Sequence, residues 1–139
     1  MNIFKLEHSY ITRENREDKY CSTCLLGFFD SKDIINKALI QYKQQPGFRD
    51  YPNNFSITRY DLDIITKKVF YVQHEYYLAN ENCDIITEVG LFASREKAIQ
   101  HVQALKLKNS PLSIANPDGF SIDDYSINEC FWQEGFSSW

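Results

Sequence analysis

The sequence has no hydrophobic run that could cross a membrane, because its longest uncharged stretch, Tyr20 to Phe29, has ten residues and a spanning helix needs about 20. A secretory leader is not expected either, since charged residues interrupt the N-terminal segment from Lys5 onward. The sequence also lacks the P-loop, dinucleotide-binding, nucleophile-elbow and His-Glu-x-x-His signatures. These absences predict a cytoplasmic protein that is not an enzyme, with no catalytic residue, no metal and no cofactor.

Cysteine is scarce, with four residues in 139. In a cytoplasmic protein these are expected to be reduced thiols rather than a disulfide framework. Cys21 and Cys24 have the spacing of half a zinc site, but no second Cys-x-x-Cys pair completes it. A redox motif would follow a strand and open a helix, whereas this pair is predicted to precede a strand. Free thiols are therefore favoured over a metal or redox centre.

Acidic charge is unevenly distributed along the chain, whose net charge is −4. Residues 1–65 contain nine Lys/Arg and nine Asp/Glu, whereas residues 66–139 contain six and ten. An acidic second half disfavours direct binding of nucleic acid, which requires a basic face. It favours a basic protein partner instead.

The most informative pattern is an internal repeat of about 65 residues. Three blocks, 3–10, 25–38 and 53–62, align with 69–76, 88–101 and 118–127, and they share ten identities over 32 positions, where about two are expected by chance. The offsets change only in polar connections, which tolerate insertions. The shared residues are Phe4/Phe70, His8/His74, Tyr10/Tyr76, Gly27/Gly90, Phe29/Phe92, Ser31/Ser94, Phe55/Phe120, Ser56/Ser121, Ile57/Ile122 and Tyr60/Tyr125.

Each copy is predicted to fold as β–β–α–β. The first and third blocks alternate apolar and polar residues, which is typical of strands. The second block begins as a strand and then reaches Ser31 or Ser94, each a suitable helix N-cap. The prediction is an α+β fold with about six strands and two helices, in which repeats 1–65 and 66–128 share one core as a pseudo-twofold pair within one compact domain. An aromatic tail, 129–139, follows.

The repeated histidines, His8 and His74, share strand faces with apolar residues. This pattern predicts buried core histidines hydrogen-bonded to backbone or to tyrosine, rather than catalytic or metal-binding groups. The rival hypothesis is a metal- or thiol-dependent enzyme that uses these histidines with Cys21 and Cys24.

Three features occur only once and are the candidates for function. The charged segment Thr12 to Lys19 is interpreted as a solvated hairpin connection. The aromatic tail either seals the end of the core or anchors a partner, because tryptophan is enriched in binding hot spots. Acidic residues near the tail form a solvated surface or steer a basic partner. The predicted partner-binding residues are Asp118, Asp123, Asp124, Glu129, Glu134, Trp132 and Trp139.

The second repeat resembles a family of small bacterial domains without an established activity, which end in Trp-x-Glu-Gly-Phe. The segments that carry the resemblance are His74-Glu-Tyr76, Gly90-Leu-Phe-Ala-Ser94, Gly119-Phe-Ser-Ile-Asp-Asp-Tyr-Ser-Ile127 and Trp132-Gln-Glu-Gly-Phe136. The first repeat lacks the tryptophan motif and has Asn54 where the second has Gly119. The resemblance implies that such domains occur here in tandem.

Small size, acidic bias, abundant aromatics and the absence of catalytic motifs favour a bacterial immunity protein of the contact-dependent inhibition type. Such a protein neutralises a toxin domain, expected to be a nuclease, by covering its active site with an acidic and aromatic surface. Neither nucleic acid nor a membrane is expected to bind it. A third hypothesis is a regulatory adaptor that binds a peptide along an exposed strand edge.

Overall fold

The computed structural model describes residues 1–13 and 19–135, with the backbone alone described at 11–13 and 19–22. These residues form six strands, three α-helices and one short 3-10 helix. In chain order they are β1 (Asn2–Arg13), β2 (Lys19–Phe29), α1 (Lys32–Tyr42), the 3-10 helix (Phe48–Asp50), β3 (Phe55–Asp61), β4 (Lys68–Leu78), β5 (Cys83–Phe92), α2 (Arg95–Leu107), α3 (Pro111–Ala115) and β6 (Phe120–Ser126). The predicted α+β class is confirmed.

The chain divides into two compact units. The first unit comprises Met1–Asp61 together with Ile127–Trp139, and the second comprises Leu62–Ser126. Each contains a three-stranded antiparallel sheet, in the order β2-β1-β3 or β5-β4-β6. The C-terminal segment that follows the second predicted repeat therefore groups with the first unit.

The register about the central strand is the same in both sheets. A β-bulge follows Leu6 in the first sheet and Val72 in the second, and a bulge adds one residue to one strand of a pair. The equivalent cross-strand pairs are Leu6–Gly27 and Val72–Gly90 on one side of the central strand, and His8–Phe55 and His74–Phe120 on the other.

The first unit has an aromatic core under α1. This helix begins after Ser31, whose hydroxyl accepts a hydrogen bond from the Asp33 amide, as the sequence predicts for an N-cap. The alternation of β1 turns every second side chain toward the helix. The buried cluster comprises Phe4, Leu6, Cys24, Leu26, Phe29, Ile35, Ala38, Tyr42 and Phe48.

The second unit has a core of smaller side chains under α2. Its buried cluster is Val72, Ala98 and Val102, with partly buried neighbours that include Phe120. Ser94 caps α2 by accepting from the Lys97 amide, which agrees with the predicted cap.

The prediction of two helices is wrong, because α3 is a third. Ser110 caps it by accepting from the Ser113 amide, and Pro111 occupies its first turn. Proline is favoured at that position because its missing N–H is not needed there. The sequence pattern does not predict this helix, since five residues are too few to show a helical period.

Candidate functional site

The seven predicted partner-binding residues fall into three groups. Asp118, Asp123 and Asp124 belong to the second unit, Glu129, Trp132 and Glu134 belong to the first, and Trp139 lies outside the described residues. The six that are described are all exposed. The candidate surface is therefore considered separately for each unit.

Asp123 and Asp124 are neighbours on β6, an edge strand of its sheet. Asp124 pairs across the sheet with Phe70, whereas Asp123 pairs with Tyr71. Because successive strand residues point to opposite faces, the two carboxylates cannot act as a pair. This agrees with the expectation from sequence that they do not form a catalytic dyad.

Asp124 is already neutralised within the second unit. Its Oδ2 lies 3.0 Å from Lys68 Nζ and its Oδ1 lies 3.7 Å from Arg95 Nη2. The hydrogen bond from Lys68, reinforced by the charges of Lys68 and Arg95, lowers the pKa of the Asp124 carboxyl. Asp124 is therefore a weaker candidate for binding a basic partner than the sequence suggests.

Asp118 and Asp123 differ from Asp124 because neither is ion-paired with any of the described residues. Asp118 follows Asn116, whose side-chain oxygen accepts from the Asp118 amide and holds the turn before β6. Burial raises the pKa of Tyr125, and the charges of Asp123 and Asp124 raise it further. The end of the second unit thus presents two available carboxylates.

The C-terminal segment of the first unit binds along the outer edge of β2. The Asn128 amide donates to the Phe28 carbonyl at 2.7 Å, and the Phe131 amide donates to the Leu26 carbonyl at 2.8 Å. The Asn128 side chain also bonds Asp30 through its amide nitrogen and its carbonyl oxygen. Covering an edge strand in this way blocks pairing with other chains.

Tyr42 fastens this segment to the core. Its hydroxyl lies 2.6 Å from the Phe131 carbonyl and 3.2 Å from the Leu26 carbonyl. Burial raises the pKa of Tyr42, with Cys130 as the next cause, so the phenol is a neutral donor. Gly27 permits the contact, because a Cβ there would collide with the Glu129 carbonyl.

Phe131 and Trp132, the two aromatic residues in the described part of the tail, differ in exposure. Phe131 is partly buried, which agrees with a sealing role, but Trp132 is 51% exposed. Glu129 and Glu134 flank it and are also exposed. Phe136 and Trp139 lie outside the described residues, so their predicted roles stay predictions.

Both repeated histidines are fully buried, as the sequence predicts. His8 Nε2 lies 2.9 Å from the Tyr51 carbonyl, and His74 Nε2 lies 2.8 Å from the Asn116 carbonyl. Burial lowers the pKa of His8, and its bond to Tyr51 opposes this shift. Because a carbonyl oxygen can only accept, Nε2 is the donor in each bond, and neither histidine side chain is exposed to solvent.

The Cys-x-x-Cys pair does not precede a strand as predicted. Both cysteines lie within β2, which begins at Lys19. Two cysteines at this spacing bind the same metal ion where the backbone between them turns. In a strand the backbone is extended, so the two positions are held apart. Cys24 is buried, which raises the pKa of its thiol, and no cluster of three or more metal-ligating side chains occurs among the described residues.

Sequence reasoning missed a groove in the first unit. Its volume is about 420 Å³, and it is lined by Phe4, Lys32, Ile35, Asn36, Ile57 and Arg59. The signal was present in the repeat alignment, where Arg59 stands at the position of Asp124. The two equivalent positions therefore carry opposite charges.

Protein-family models, curated proteins and solved structures were all compared with the chain, and none of them matches it. None of the described helices is both long and apolar enough to cross a membrane.

Proposed function

We propose that this chain is a bacterial immunity protein, which binds and neutralises a toxin domain in the cytoplasm without acting as an enzyme. The observation that carries the proposal is a set of exposed carboxylates with no ion-pair partner among the described residues. Its members are Asp118, Asp123, Glu129 and Glu134. Unpaired surface charge of one sign accelerates association with a partner of the opposite sign.

The charge balance of the second unit supports a basic partner. Residues 62–126 contain six Lys/Arg and nine Asp/Glu. Nuclease domains expose basic surfaces that bind phosphates, and aspartate side chains offer the same kind of anionic oxygen. The expected mode of action is therefore occlusion of the nuclease active site.

Trp132 supplies the aromatic element of the binding surface proposed for the first unit. Its side chain is half exposed and lies between Glu129 and Glu134 in the sequence. A large aromatic residue rimmed by charges is typical of an interface anchor. Trp139 lies outside the described residues, and we include it only because the sequence predicts that it binds the partner.

We also infer that the two units arose by duplication of one β–β–α–β element. Equal strand order, equal register and bulges at equivalent positions support this inference. The two units share strand order and register but differ in charge at equivalent positions such as Arg59 and Asp124, which favours function in the features that differ.

The two rival functions have less support. An enzyme that uses His8, His74 and Cys24 would need these buried groups to reach a substrate. An adaptor would bind a peptide along the edge of β3 or β6, each of which is an outer strand of its sheet. The adaptor differs from an immunity protein in requiring no toxin.

The first test is whether a toxin gene lies beside this gene and whether cells that express both proteins survive. The association rate is measured in parallel with the purified toxin domain at low and high salt. The double variant Asp118→Asn/Asp123→Asn is expected to associate about tenfold more slowly at low salt, because steering charge is lost.

The double variant Lys68→Gln/Asp124→Asn is the matched control, since it removes an ion pair of the second unit and leaves the net charge unchanged. It is expected to retain the wild-type association rate. Failure of the wild-type protein to protect cells or to bind the toxin domain would overturn the proposal, as would equal slowing by the control.

A further inference from the structure

The groove in the first unit lies between the first turn of α1 and the sheet. Its floor is apolar, formed by Phe4, Ile35 and Ile57, and the Ile57 side chain is 51% exposed there. A volume of about 420 Å³ falls within the range of small-molecule sites, roughly 300 to 1,000 Å³.

Two cations line the same groove. Lys32 Nζ lies 5.9 Å from the centre of the Phe4 ring, and Arg59 donates through Nε and Nη2 to Asn2 Oδ1 at 3.2 and 3.1 Å. Neither is ion-paired with a carboxylate of the described residues. Because a guanidinium has five N–H donors, Arg59 keeps donors available for a ligand.

The equivalent position in the second unit contains a carboxylate from the chain itself. Arg95, which follows the N-cap as Lys32 does, lies 5.4 Å from the Phe70 ring. Asp124 occupies the place of Arg59, since it pairs with Phe70 as Arg59 pairs with Phe4. Its carboxylate contacts both Lys68 and Arg95.

The two units differ in whether the cation beside the aromatic ring has a carboxylate partner among the described residues of the chain. In the second unit a cation beside an aromatic ring is satisfied by the chain's own carboxylate. In the first unit an arginine replaces that carboxylate, so two cations border an open apolar groove. A bound carboxylate would form charge-assisted hydrogen bonds with both cations, and its apolar chain would cover the exposed Ile57 side chain.

We propose that the groove between α1 and the sheet of the first unit binds a small apolar monocarboxylate. The carboxylate lies between Lys32 and Arg59, and the hydrocarbon lies on Phe4, Ile35 and Ile57. The site is independent of the immunity function, because it belongs to the basic rim of the first unit rather than to the exposed acidic residues.

The experiment titrates the full chain with octanoate and follows the isoleucine methyl resonances by NMR. Saturable shifts of Ile35 and Ile57 are expected, with a dissociation constant below about 10 mM. Three further compounds separate the contribution of the charge from that of the hydrocarbon chain. Acetate lacks the hydrocarbon chain, octanol lacks the charge and octylamine carries the opposite charge. Each is expected to bind at least about tenfold more weakly than octanoate.

Two single variants test the cations. Lys32→Gln and Arg59→Gln change exposed side chains, so the fold is expected to persist, and each should weaken octanoate binding about tenfold. Arg59→Asp places the second unit's residue in the groove and should abolish binding. Asp124→Asn is the matched control in the second unit and should leave the Ile35 and Ile57 titration unchanged.

Three results would overturn the proposal. The first is no saturable shift of Ile35 or Ile57 with octanoate. The second is equal binding of octanol or octylamine, which would mean that the groove takes apolar chains without regard to charge. The third is wild-type affinity in both Lys32→Gln and Arg59→Gln. Each result leaves the toxin-neutralisation test unaffected.

Discussion

The two units share strand order and register, yet they fill the same positions with side chains of different size and charge. At 65-residue spacing, Phe48 of the first unit corresponds to Ser113 of the second, and both are buried. Phe48 packs against His8 at 4.8 Å between ring centres. The histidine is buried in both units and keeps its backbone hydrogen bond, the tyrosine two residues on and the equivalent phenylalanine, although Ser113 takes the place of Phe48.

The rims of the two units also differ. The first unit has the C-terminal segment along β2 and two cations in an open groove. The second has the Asp124 ion pairs and two available aspartates, Asp118 before its last strand and Asp123 within it. Residues that maintain the register are kept, while residues at the surface are free to diverge, and binding depends on surface residues.

The largest expected effect concerns the two cores. Phe48→Ala should lower the free energy of unfolding of the first unit by about 3 to 5 kcal/mol, because it leaves a cavity against Tyr42 and His8. Residue-resolved hydrogen exchange measures each unit separately. Ser113→Ala, the matched change, should cost about 1 kcal/mol or less. Similar losses from both changes would show that the units do not differ in core packing.

The second-largest expected effect concerns the close contact between Gly119 and the backbone of Glu75 in the second unit. A Cβ at Gly119 would collide with the Glu75 carbonyl and approach His74 Nε2 to 2.9 Å. Gly119→Ala should therefore destabilise the second unit by about 2 to 3 kcal/mol, measured by chemical denaturation and hydrogen exchange.

Gly90→Ala is the control for this comparison. Among the described residues its Cβ would meet only the ring of Phe92, at 3.1 Å, and a side chain can shift where a backbone carbonyl cannot. The expected loss is about 1 kcal/mol or less. A loss equal to that of Gly119→Ala would contradict the role given to the Glu75 carbonyl.

A smaller effect tests the C-terminal segment, which the first unit alone possesses. Tyr42→Phe removes the hydroxyl that bonds the Phe131 and Leu26 carbonyls and should cost about 1 to 2 kcal/mol. The amides of Asn128 and Phe131 should then exchange faster. Tyr77→Phe, at an exposed tyrosine, should cost about 0.5 kcal/mol or less. Unchanged exchange at Asn128 would refute the fastening role of Tyr42.

The smallest effect is the response of the first unit to acid. Because burial lowers the pKa of His8 below its ordinary value of 6.5, the unfolded chain binds a proton that the folded unit does not. The stabilising contribution is therefore complete above pH 6.5 and is lost as the pH falls from there to the lower folded pKa. The loss is at most about 1.4 kcal/mol per pH unit.

Hydrogen exchange of first-unit amides, corrected for intrinsic rates, measures this loss between pH 7.5 and 5.5. An NMR titration of the His8 ring should give a midpoint below 6.5 in the same samples. A midpoint above 6.5, or exchange protection in the first unit that does not change with pH, would contradict the burial-driven shift.

Local patterns in the sequence predicted the α+β class, both long helices and their caps, because a cap needs only a hydroxyl one or two residues before the helix. Burial of His8 and His74 followed from strand alternation. The N-terminal extent of β2 could not be predicted in this way, since the first half of the strand, Lys19 to Cys24, is polar and lacks a clear period. The sharing of one core by the two units and the binding of a toxin stay predictions.

The sequence by itself determined the six strands and the two longer helices in their order, together with the buried face that carries His8 and His74, because periodicity and capping act over a few residues. The tertiary structure decided which candidate residues are available. It paired Asp124 with Lys68 and Arg95, left Asp118 and Asp123 without such partners, and brought the C-terminal segment to β2. Those outcomes depend on contacts between residues as far apart in the chain as Asn128 and Asp30, and local pattern carries no information about such distances.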